Sequence, residues 1–250
     1  KERLSGISFD ETEEARLWDE KRQLDSAVAT LKEEVDRCEA QLAGRLSFQY
    51  QNPEKGFDRT RVKGLVARLV TVPDPMNSTA LEVVAGGKLY NVVVDTEQTG
   101  KLLLQKGRLK QRVTIIPLNK IHRYRVRPDK LQRAQQIAME NGGSVNCAIE
   151  LIGYEEEVLA AMEHVFGSTL ICDTLDLAKL IAFDRGVRNR TVTLEGDAFE
   201  PQGTLTGGSR SSLGTLLQSL QQLSDTNQEL GARRERLRVV DQRLEAISSV

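Results

Sequence analysis

The residues most able to carry chemistry lie in the run GDAFEPQGTLTGGSR, at positions 196–210. Its part from Gly203 to Gly208 has the G-x-x-x-x-G spacing of a phosphate-binding loop, which would indicate a nucleotide-binding enzyme. Such a loop ends in Lys followed by Ser or Thr, which reach the phosphates and the magnesium ion. Ser209 and Arg210 stand there instead. A phosphate site is therefore disfavoured, and a nucleotide-binding enzyme stays an alternative that binding of magnesium-ATP would reveal.

The histidines and cysteines do not form a recognisable site. The two histidines, His122 and His164, have no cysteine or carboxylate nearby at the spacing of metal ligands, and His164 is expected to be a structural residue on a helix. Cys38, Cys147 and Cys172 are odd in number and lie far apart, which disfavours a disulfide framework and indicates a reducing compartment. We therefore predict no catalytic residue, no metal site and no cofactor in this chain.

Positive charge accumulates from Lys101 to Arg133, where eleven basic residues stand against one acid, Asp129. In an extended segment, the alternation at residues 123–127 places three arginines on one face, where they can meet successive phosphates. The cluster could instead be solvated or pair with acids elsewhere, but same-sign crowding favours a polyanion. With one tyrosine and no aromatic series, we expect contact with the nucleic-acid backbone without base reading. The predicted DNA-contacting residues are Lys106, Arg108, Lys110, Arg112, Lys120, Arg123, Arg125, Arg127, Lys130 and Arg133.

Heptad patterns at both ends predict helical arms around the middle of the chain. The first runs from Leu17 to Leu42 and is broken at Lys21, and in the second a leucine recurs every seven residues from Leu216 to Leu244. Helices on the surface of a globular core remain an alternative, but this length favours a coiled coil. The arms could pair with other chains or, antiparallel, with each other. Polar residues interrupt the alternate positions of the second seam, which begin with Leu213 and Leu220, at Asn227, Arg234 and Asp241.

The middle of the chain, from Phe57 to Arg210, alternates β-branched runs with helical patterns and contains a repeat. Asp-Thr-x-x-x-x-Lys-Leu occupies residues 95–102 and again 173–180, each time after an apolar run and at the start of a helical pattern. Two related α/β subdomains, joined by a helix from Pro128 to Glu140, are therefore predicted. The predicted strands are 89–94, 113–117, 147–152, 169–172 and 191–194, and the other predicted helices are 78–85, 97–106, 155–166 and 175–184.

Composition agrees with an elongated protein of ordinary charge. The 250 residues carry a net charge of -1, and aromatic residues make up only 4%, which indicates that part of the length is helical arm rather than compact core. No stretch approaches the roughly 18 apolar residues of a membrane span, and no signal pattern opens the chain. Because the sequence begins at Lys1 in mid-pattern, we expect it to be a fragment of a longer protein.

The sequence predicts a coil, then an α/β domain, then a second coil, and the motif Gly196-x6-Gly203-x3-Gly207-Gly208 stands near the end of the domain. This arrangement resembles the hinge of the structural maintenance of chromosomes (SMC) proteins. The glycine spacing matches that family's motif at every position. Within the family, residues 112–121 (RVTIIPLNKI) and the run GGKLYNVVVD resemble the condensin type of subunit rather than the cohesin type. The resemblance covers the whole chain, with the hinge from about Gly56 to Arg210.

The resemblance implies an α+β fold of two related α/β subdomains with mixed sheets, flanked by an antiparallel intramolecular coiled coil. It further implies a hinge that dimerises with the hinge of a different SMC subunit across sheet edges, and DNA binding, often single-stranded, on basic surface near the coils. The implied domains are arms at 1–50 and 211–250, subdomains at 51–127 and 144–210, and a linking helix at 128–143. The implied dimer contacts are Gly86, Gly87, Gly196, Gly203, Gly207 and Gly208.

The implied function is structural, in chromosome condensation and segregation, with no membrane partner. ATP and magnesium belong to head domains outside this sequence, as do contacts with non-SMC condensin subunits. The implied location is the nucleus and chromosomes, with a cytoplasmic pool. Alternatives are the nucleotide-binding enzyme, a cohesin-type hinge, and a self-associating coiled-coil scaffold that does not bind DNA.

Overall fold

The computed structural model describes residues 2–208 and 215–248, with side chains from residue 12 onward. It separates into two compact units, one formed by residues 1–45 and 221–250 and the other by residues 46–220. Three residues named in the sequence analysis lie outside the described residues. They are Ser209, which follows the glycine motif, Arg210, the predicted end of the hinge, and Leu213, the start of the second seam's alternate positions. The predicted boundary between residues 210 and 211 lies outside them too.

The described residues form eight α-helices and eight strands. The helices are α1 Glu2–Ala43, α2 Val66–Leu69, α3 Ser78–Ala85, α4 Glu97–Lys106, α5 Pro128–Glu140, α6 Leu159–Phe166, α7 Leu175–Phe183 and α8 Leu216–Ser248. The strands are β1 Val62–Leu65, β2 Val92–Val94, β3 Ile115–Pro117, β4 Val145–Cys147, β5 Thr169–Cys172, β6 Arg190–Thr193, β7 Ala198–Phe199 and β8 Leu205–Thr206. Short 3-10 helices cover Arg59–Arg61, Pro75–Asn77, Gly86–Tyr90, Ala148–Leu151 and Glu156–Val158.

The first unit is an antiparallel pair of helices, which confirms the intramolecular coiled coil. Contacts between the two helices run in opposite directions along the chain: Glu20 pairs with Arg236, and Glu34 accepts a hydrogen bond from Gln222. Leu17 and Leu24 of α1 pack with Val240 and Leu244 of α8 in one buried cluster. The helices are held together by an apolar seam, as the heptads require.

The second seam differs from its predicted alternate positions. Thr226 and Val240 are buried, whereas Asn227 and Arg234 are exposed. In each heptad the second seam position lies either three or four residues after the leucine. The seven-residue spacing of the leucines fits both arrangements. Val240 is completely buried, and Thr226 satisfies its hydroxyl by donating to the backbone carbonyl of Gln222. The predicted polar intrusions at 227 and 234 are therefore wrong.

The polar residue that interrupts the first heptad pattern has a partner in the second helix. Lys21 of α1 forms an ion pair with Asp241 of α8. The hydrogen bond to Asp241 raises the pKa of Lys21, so the amine is held in its charged form. A polar pair beside an apolar seam favours the register that brings its two members together.

The second unit contains two mixed sheets that share one pattern. In the first, β1 is antiparallel to β2, and β2 is parallel to β3. In the second, β4 is antiparallel to β5 and β5 is parallel to β6, and β7 and β8 continue it antiparallel, in the order β4-β5-β6-β7-β8. In both sheets the middle of the three equivalent strands, β2 or β5, is buried along its whole length. The repeat predicted from the sequence is thus a repeat of topology.

The repeated Asp-Thr pair has the same local role in both halves. The hydroxyl of Thr96 accepts a hydrogen bond from the backbone N–H of Thr99 at the start of α4, and Thr174 does the same for Leu177 in α7. Each threonine thereby caps the helix that follows the central strand. The two related α/β subdomains are confirmed at this level of detail.

Two predicted strands differ most from the structure, while the strand predicted at 113–117 is observed at Ile115–Pro117 and the helix predicted at 155–166 is a 3-10 helix at Glu156–Val158 followed by α6. Residues 147–152 do not form a strand: β4 ends at Cys147, and a 3-10 helix follows from Ala148 to Leu151. Cys147, Ala148 and Ile152 are buried while Glu150 is exposed, and a short run of this kind does not distinguish a strand from a helical turn. The strand predicted at 89–94 is shorter, because residues 86–90 form a 3-10 helix before β2.

Among the described residues no helix is both long and apolar enough to span a membrane.

Candidate functional site

The glycine run near residue 200 folds as a β-hairpin. Strands β7 and β8 are joined by a tight turn in which the N–H of Gly203 donates to the carbonyl of Glu200 over 2.9 Å. Gly203 takes a φ of 108°, a conformation open to glycine and strained for other residues. The segment leads from a strand into a strand, whereas a phosphate-binding loop leads from a strand into a helix. The described part of the run therefore lacks the geometry of a nucleotide site.

Strand β8 is the outer strand of the five-stranded sheet, and one of its sides has no strand partner among the described residues. Both of its residues are exposed, and Leu205 keeps 64% of its surface accessible. An exposed edge strand with an apolar side chain is a template for pairing with another chain. The hairpin thus presents the features of a sheet-extending contact.

The glycines predicted at the dimer contact fall into two groups. Gly86, Gly196, Gly203 and Gly208 have positive φ values, from 52° to 126°. At Gly86, Gly87, Gly203 and Gly208 a Cβ atom would meet nothing within 4 Å, so their bare faces are open. At Gly207 a Cβ would overlap the Oδ1 atom of Asp197 in the same chain. A side chain at Gly207 would therefore require the Asp197 carboxylate to move.

Arg190 connects the two glycine regions, which lie more than a hundred residues apart in sequence. Its Nη1 and Nη2 atoms donate to the carbonyls of Val84 and Val83, over 3.3 and 3.4 Å, at the end of α3 just before Gly86–Gly87. Its Nε lies 2.8 Å from a carboxylate oxygen of Glu200, where the hairpin begins. One side chain therefore ties both predicted contact regions together. No local pattern predicted this role, since Arg190 lies outside both glycine motifs.

The basic cluster divides into arginines with acidic partners and cations without them. Arg123 and Arg125 both pair with Glu163, whose side chain is only 1% exposed. Arg127 pairs with Asp129, and Arg133 with Asp184. For these arginines, the alternative of pairing with acids holds, and the sequence analysis did not identify Glu163 as a partner.

The remaining cations concentrate on one segment. Lys106, Arg108, Lys110 and Arg112 are exposed, and none of them forms an ion pair with any residue that the structure describes. No aspartate or glutamate occurs between residues 98 and 128. Arg108 has a φ of 47°, which turns the chain sharply just after α4. This segment, called the basic turn (residues 106–112), brings four cations without an ion pair among the described residues close together in sequence.

A group of rings lies next to the basic turn and was not predicted. The backbone N–H of Gln51 donates to the carbonyl of Gly107 over 2.8 Å, so residues 46–51 run beside the turn. The rings of Phe48 and Tyr50 lie 5.5 Å apart, and the guanidinium of Arg59 lies 4.5 Å from the centre of the Tyr50 ring. The only signal in the sequence was the short alternation Phe48-Gln49-Tyr50 after the first heptads.

The titratable groups in the interior are structural. The Nδ1 atom of His164 donates to the carbonyl of His122 over 3.0 Å, its ring packs against the Tyr124 ring, and burial lowers the pKa of its imidazole. Burial raises the pKa of the Cys172 thiol to about 12, so the thiol stays protonated and unreactive. Among the described residues no cluster of histidine, cysteine and carboxylate side chains is placed to hold a metal ion.

Known proteins share this sequence and fold. Residues 59–182 match the family model described as SMC proteins Flexible Hinge Domain. Structural maintenance of chromosomes protein 2-2 of Arabidopsis thaliana is 52% identical over 84% of this chain and 18% of its own length. Structural maintenance of chromosomes protein 2 of Dictyostelium discoideum is 44% identical over 99% of this chain and 21% of its own. The chain thus spans about a fifth of the length of these curated relatives.

A solved structure shares the fold. The crystal structure of an asymmetric dimer of the Geobacillus stearothermophilus SMC hinge domain aligns with 93% of this chain and 97% of its own, at a TM-score of 0.62 and 24% identity. The α+β fold with mixed sheets and flanking helices is confirmed as that of an SMC hinge. The similarity to structural maintenance of chromosomes proteins 2 and 2-2 confirms the resemblance to the condensin type of subunit. The chain belongs to the SMC family, as a hinge domain with the adjoining parts of its two coiled-coil arms.

Proposed function

We propose that this chain is the heterodimerisation hinge of the condensin SMC subunit also called chromosome-associated protein E, which joins its arms to those of a different SMC subunit. The observation that carries this proposal is the open edge of β8, with Leu205 exposed and the bare faces of Gly203 and Gly208 beside it. Glycines without neighbours let a second backbone approach closely, and an edge strand supplies the hydrogen bonds for pairing. The related hinge of Geobacillus stearothermophilus is itself a dimer.

The contact is proposed to extend from β8 to Gly86–Gly87. Arg190 holds the end of α3 and the start of the hairpin together, so a partner that pairs with β8 meets a rigid surface. A preorganised surface loses little entropy on binding, which favours a stable complex. The residues proposed for the contact remain Gly86, Gly87, Gly196, Gly203, Gly207 and Gly208, and Leu205 joins them.

The test is the mass of the complex in solution. The 250-residue chain is mixed in turn with the hinges of other SMC subunits and analysed by sedimentation velocity and light scattering. We expect one hinge to give a one-to-one complex and the chain alone to self-associate much more weakly. A chain that forms a homodimer of equal strength, or stays monomeric with every hinge, would contradict heterodimerisation.

We also propose that the chain contacts DNA, with the basic turn as the centre of the surface. Four exposed cations without acidic partners, in a stretch free of acids, lower the cost of binding a polyanion. Lys120 and Lys130 are proposed to add to this surface, and Arg123, Arg125, Arg127 and Arg133 to contribute less because carboxylates already partly neutralise them. A self-associating scaffold without DNA binding has no need for such a segment.

The salt dependence of binding tests the DNA surface. Replacement of Lys106, Arg108, Lys110 and Arg112 by alanine is expected to reduce the slope of log K against log salt by up to about 3 for a single-stranded oligonucleotide, since each lost contact is worth about 0.7. Binding is measured by fluorescence anisotropy across a salt series. The control removes the same number of charges from exposed sites elsewhere, at Lys32, Arg68, Lys179 and Arg185. An equal change in both variants would mean that only net charge matters and that the basic turn is not the site.

The biological setting is proposed from the same relationship. The chain would act in chromosome condensation and segregation, in the nucleus and on chromosomes with a cytoplasmic pool, and would contact non-SMC condensin subunits through parts of the protein outside this sequence. ATP and magnesium would bind at the head domains, so this hinge is proposed to need no cofactor and to catalyse no reaction. Because the chain is about a fifth of its relatives' length, these statements concern the longer protein.

A further inference from the structure

The first turn of α8 takes one hydrogen-bond acceptor from another helix. Thr215 and Gln218 cap this turn locally, since the hydroxyl of Thr215 accepts from the N–H of Gln218 and the side-chain carbonyl of Gln218 accepts from the N–H of Thr215. The N–H of Leu217 donates instead to a carboxylate oxygen of Glu82 in α3, over 3.2 Å. Leu216 and Leu217 are buried within the second unit. Glu82 therefore completes the cap of α8 from outside that helix, at the point where the arm begins.

Charge favours the contacts of α3 with its two neighbours. The carboxylate of Glu82 lies at the N-terminus of α8, which carries a partial positive charge. At the other end of α3, the carbonyls of Val83 and Val84 accept from the guanidinium of Arg190, and a cation is stabilising at the C-terminus of a helix. The same guanidinium pairs with Glu200 in the hairpin of β7 and β8. Three consecutive residues of α3 thus connect the start of the arm with the hairpin.

Helix α3 is suited to transmit a displacement because it is short and largely buried. It packs against α6 and β6, which belong to the other subdomain, and it ends at Gly86, the first glycine of the Gly86–Gly87 pair. Its buried residues are Ser78, Ala80, Leu81, Val84 and Ala85. Closely packed elements shift as units and do not deform gradually. A partner that contacts the hairpin or Gly86–Gly87 therefore acts on the same rigid piece that carries Glu82.

We infer that α3 couples the dimer contact to the start of the arm, with Glu82 and Arg190 as the positioning residues. A partner hinge that pairs with β8 and meets Gly86–Gly87 holds the hairpin and the end of α3, so the bond between Leu217 and Glu82 opens less often. The coupling is reciprocal, because a coupling free energy between two sites acts equally in both directions. The inference rests on the heterodimer proposed above and specifies what the heterodimer does to the arm.

The first experiment tests Glu82 in the chain alone, by hydrogen exchange of the backbone amides of residues 215–220. Glu82→Leu removes the acceptor and is expected to speed exchange there about fivefold, as the loss of a helix cap would allow. Glu82→Gln keeps an acceptor oxygen and should retain most of the protection. The control is Glu140→Leu, which removes an exposed carboxylate that accepts from Gln136 of its own helix. Unchanged exchange in Glu82→Leu, or an equal change in Glu140→Leu, would overturn the role of Glu82.

The second experiment repeats the exchange measurement with the SMC hinge that gives the one-to-one complex, added at a saturating concentration. We expect the amides of residues 215–220 to exchange at least about fivefold more slowly in the heterodimer than in the chain alone. Helix α5 has no part in the connection, and its amides serve as the reference, with an expected change of less than about twofold. A general gain in stability would instead slow exchange in both regions.

Two variants break the connection at different points. Arg190→Met removes the bonds to α3, and Glu200→Ala separates the hairpin from Arg190 while those bonds stay. The side chains of Arg190 and Glu200 are 30% and 36% exposed, so the chain should tolerate the loss of their pair. With each variant saturated by the partner, we expect no slowing at residues 215–220. A heterodimer that leaves this exchange unchanged, or slows it equally in both variants, would overturn the inference and leave the heterodimer standing, whereas no complex with any hinge would refute both.

Discussion

Replacement of Leu205 by lysine is expected to weaken the proposed hinge heterodimer at least about a hundredfold while the chain stays folded. A lysine on an edge strand is a common natural means of preventing sheets from joining, because its charge would have to be desolvated in the new interface. The same side chain is harmless in the free chain, since 64% of the Leu205 surface is already accessible to solvent. The measurement is the dissociation constant from sedimentation equilibrium with the partner hinge, beside the melting temperature of the chain alone.

The matched control is Leu104→Lys, which introduces the same change at a leucine of similar exposure, 58%, on helix α4. It should leave the dissociation constant within about twofold, since no sheet edge is altered. If both variants weaken the dimer equally, or if Leu205→Lys leaves it intact, β8 is not the contact. Gly207 is a poorer choice for the test, because a side chain there would displace the Asp197 carboxylate within the same chain as well as meet a partner.

Local pattern was enough to predict most helices of the middle domain. The bounds predicted for α3, α4 and α5 are those observed, because each helix is delimited by signals within a few residues: a capping Thr96 before α4, proline at the first position of α5, and Gly86 or Asn141 at the end. The repeat was found in the same way, since the Asp-Thr pair caps a helix after the central strand in both halves.

Features that depend on distant contacts were not predicted. Nothing near residues 148–151 indicates a 3-10 helix in place of a strand, because a short apolar run fits either conformation. The choice between Thr226 and Asn227 in the seam depends on which residues α1 presents, which a pattern along one helix does not contain. The coiled coil itself was predictable, whereas its exact seam was not.

In the candidate site, too, some features follow from local sequence and others depend on distant contacts. The glycine motif and the basic cluster are visible as local composition, but their parts are sorted by partners far away in sequence. Glu163 lies almost forty residues beyond the arginines that it binds, and Phe48 and Tyr50 lie some sixty residues before the basic turn. Counting charges therefore identified a basic region without indicating which of its cations have acidic partners.

Removal of both arginines that bind Glu163 is expected to destabilise the chain more than removal of Glu163 itself. Arg123→Ala with Arg125→Ala leaves a carboxylate that is 1% exposed without a counter-charge, at a cost of about 3 kcal/mol in the free energy of unfolding. Glu163→Gln leaves two guanidinium groups whose side chains are 52% and 71% exposed, and water solvates them at a smaller cost, about 1 kcal/mol. Urea unfolding followed by circular dichroism measures both.

A triple variant tests whether the unpaired, buried charge of Glu163 causes the loss of stability. Adding Glu163→Gln to the two arginine changes should recover most of the lost stability, because no buried charge then remains. Arg127→Ala is the control, since Arg127 and its partner Asp129 are both exposed, and we expect no measurable change in the urea midpoint. No recovery in the triple variant would mean that the arginines act through packing. A loss of stability at Arg123 and Arg125 would also reduce DNA binding. Reversing the charge of these arginines therefore does not distinguish a lost DNA contact from a loss of folding. The cations of the basic turn at residues 106–112 form no ion pair with any described residue, so replacing them avoids this problem.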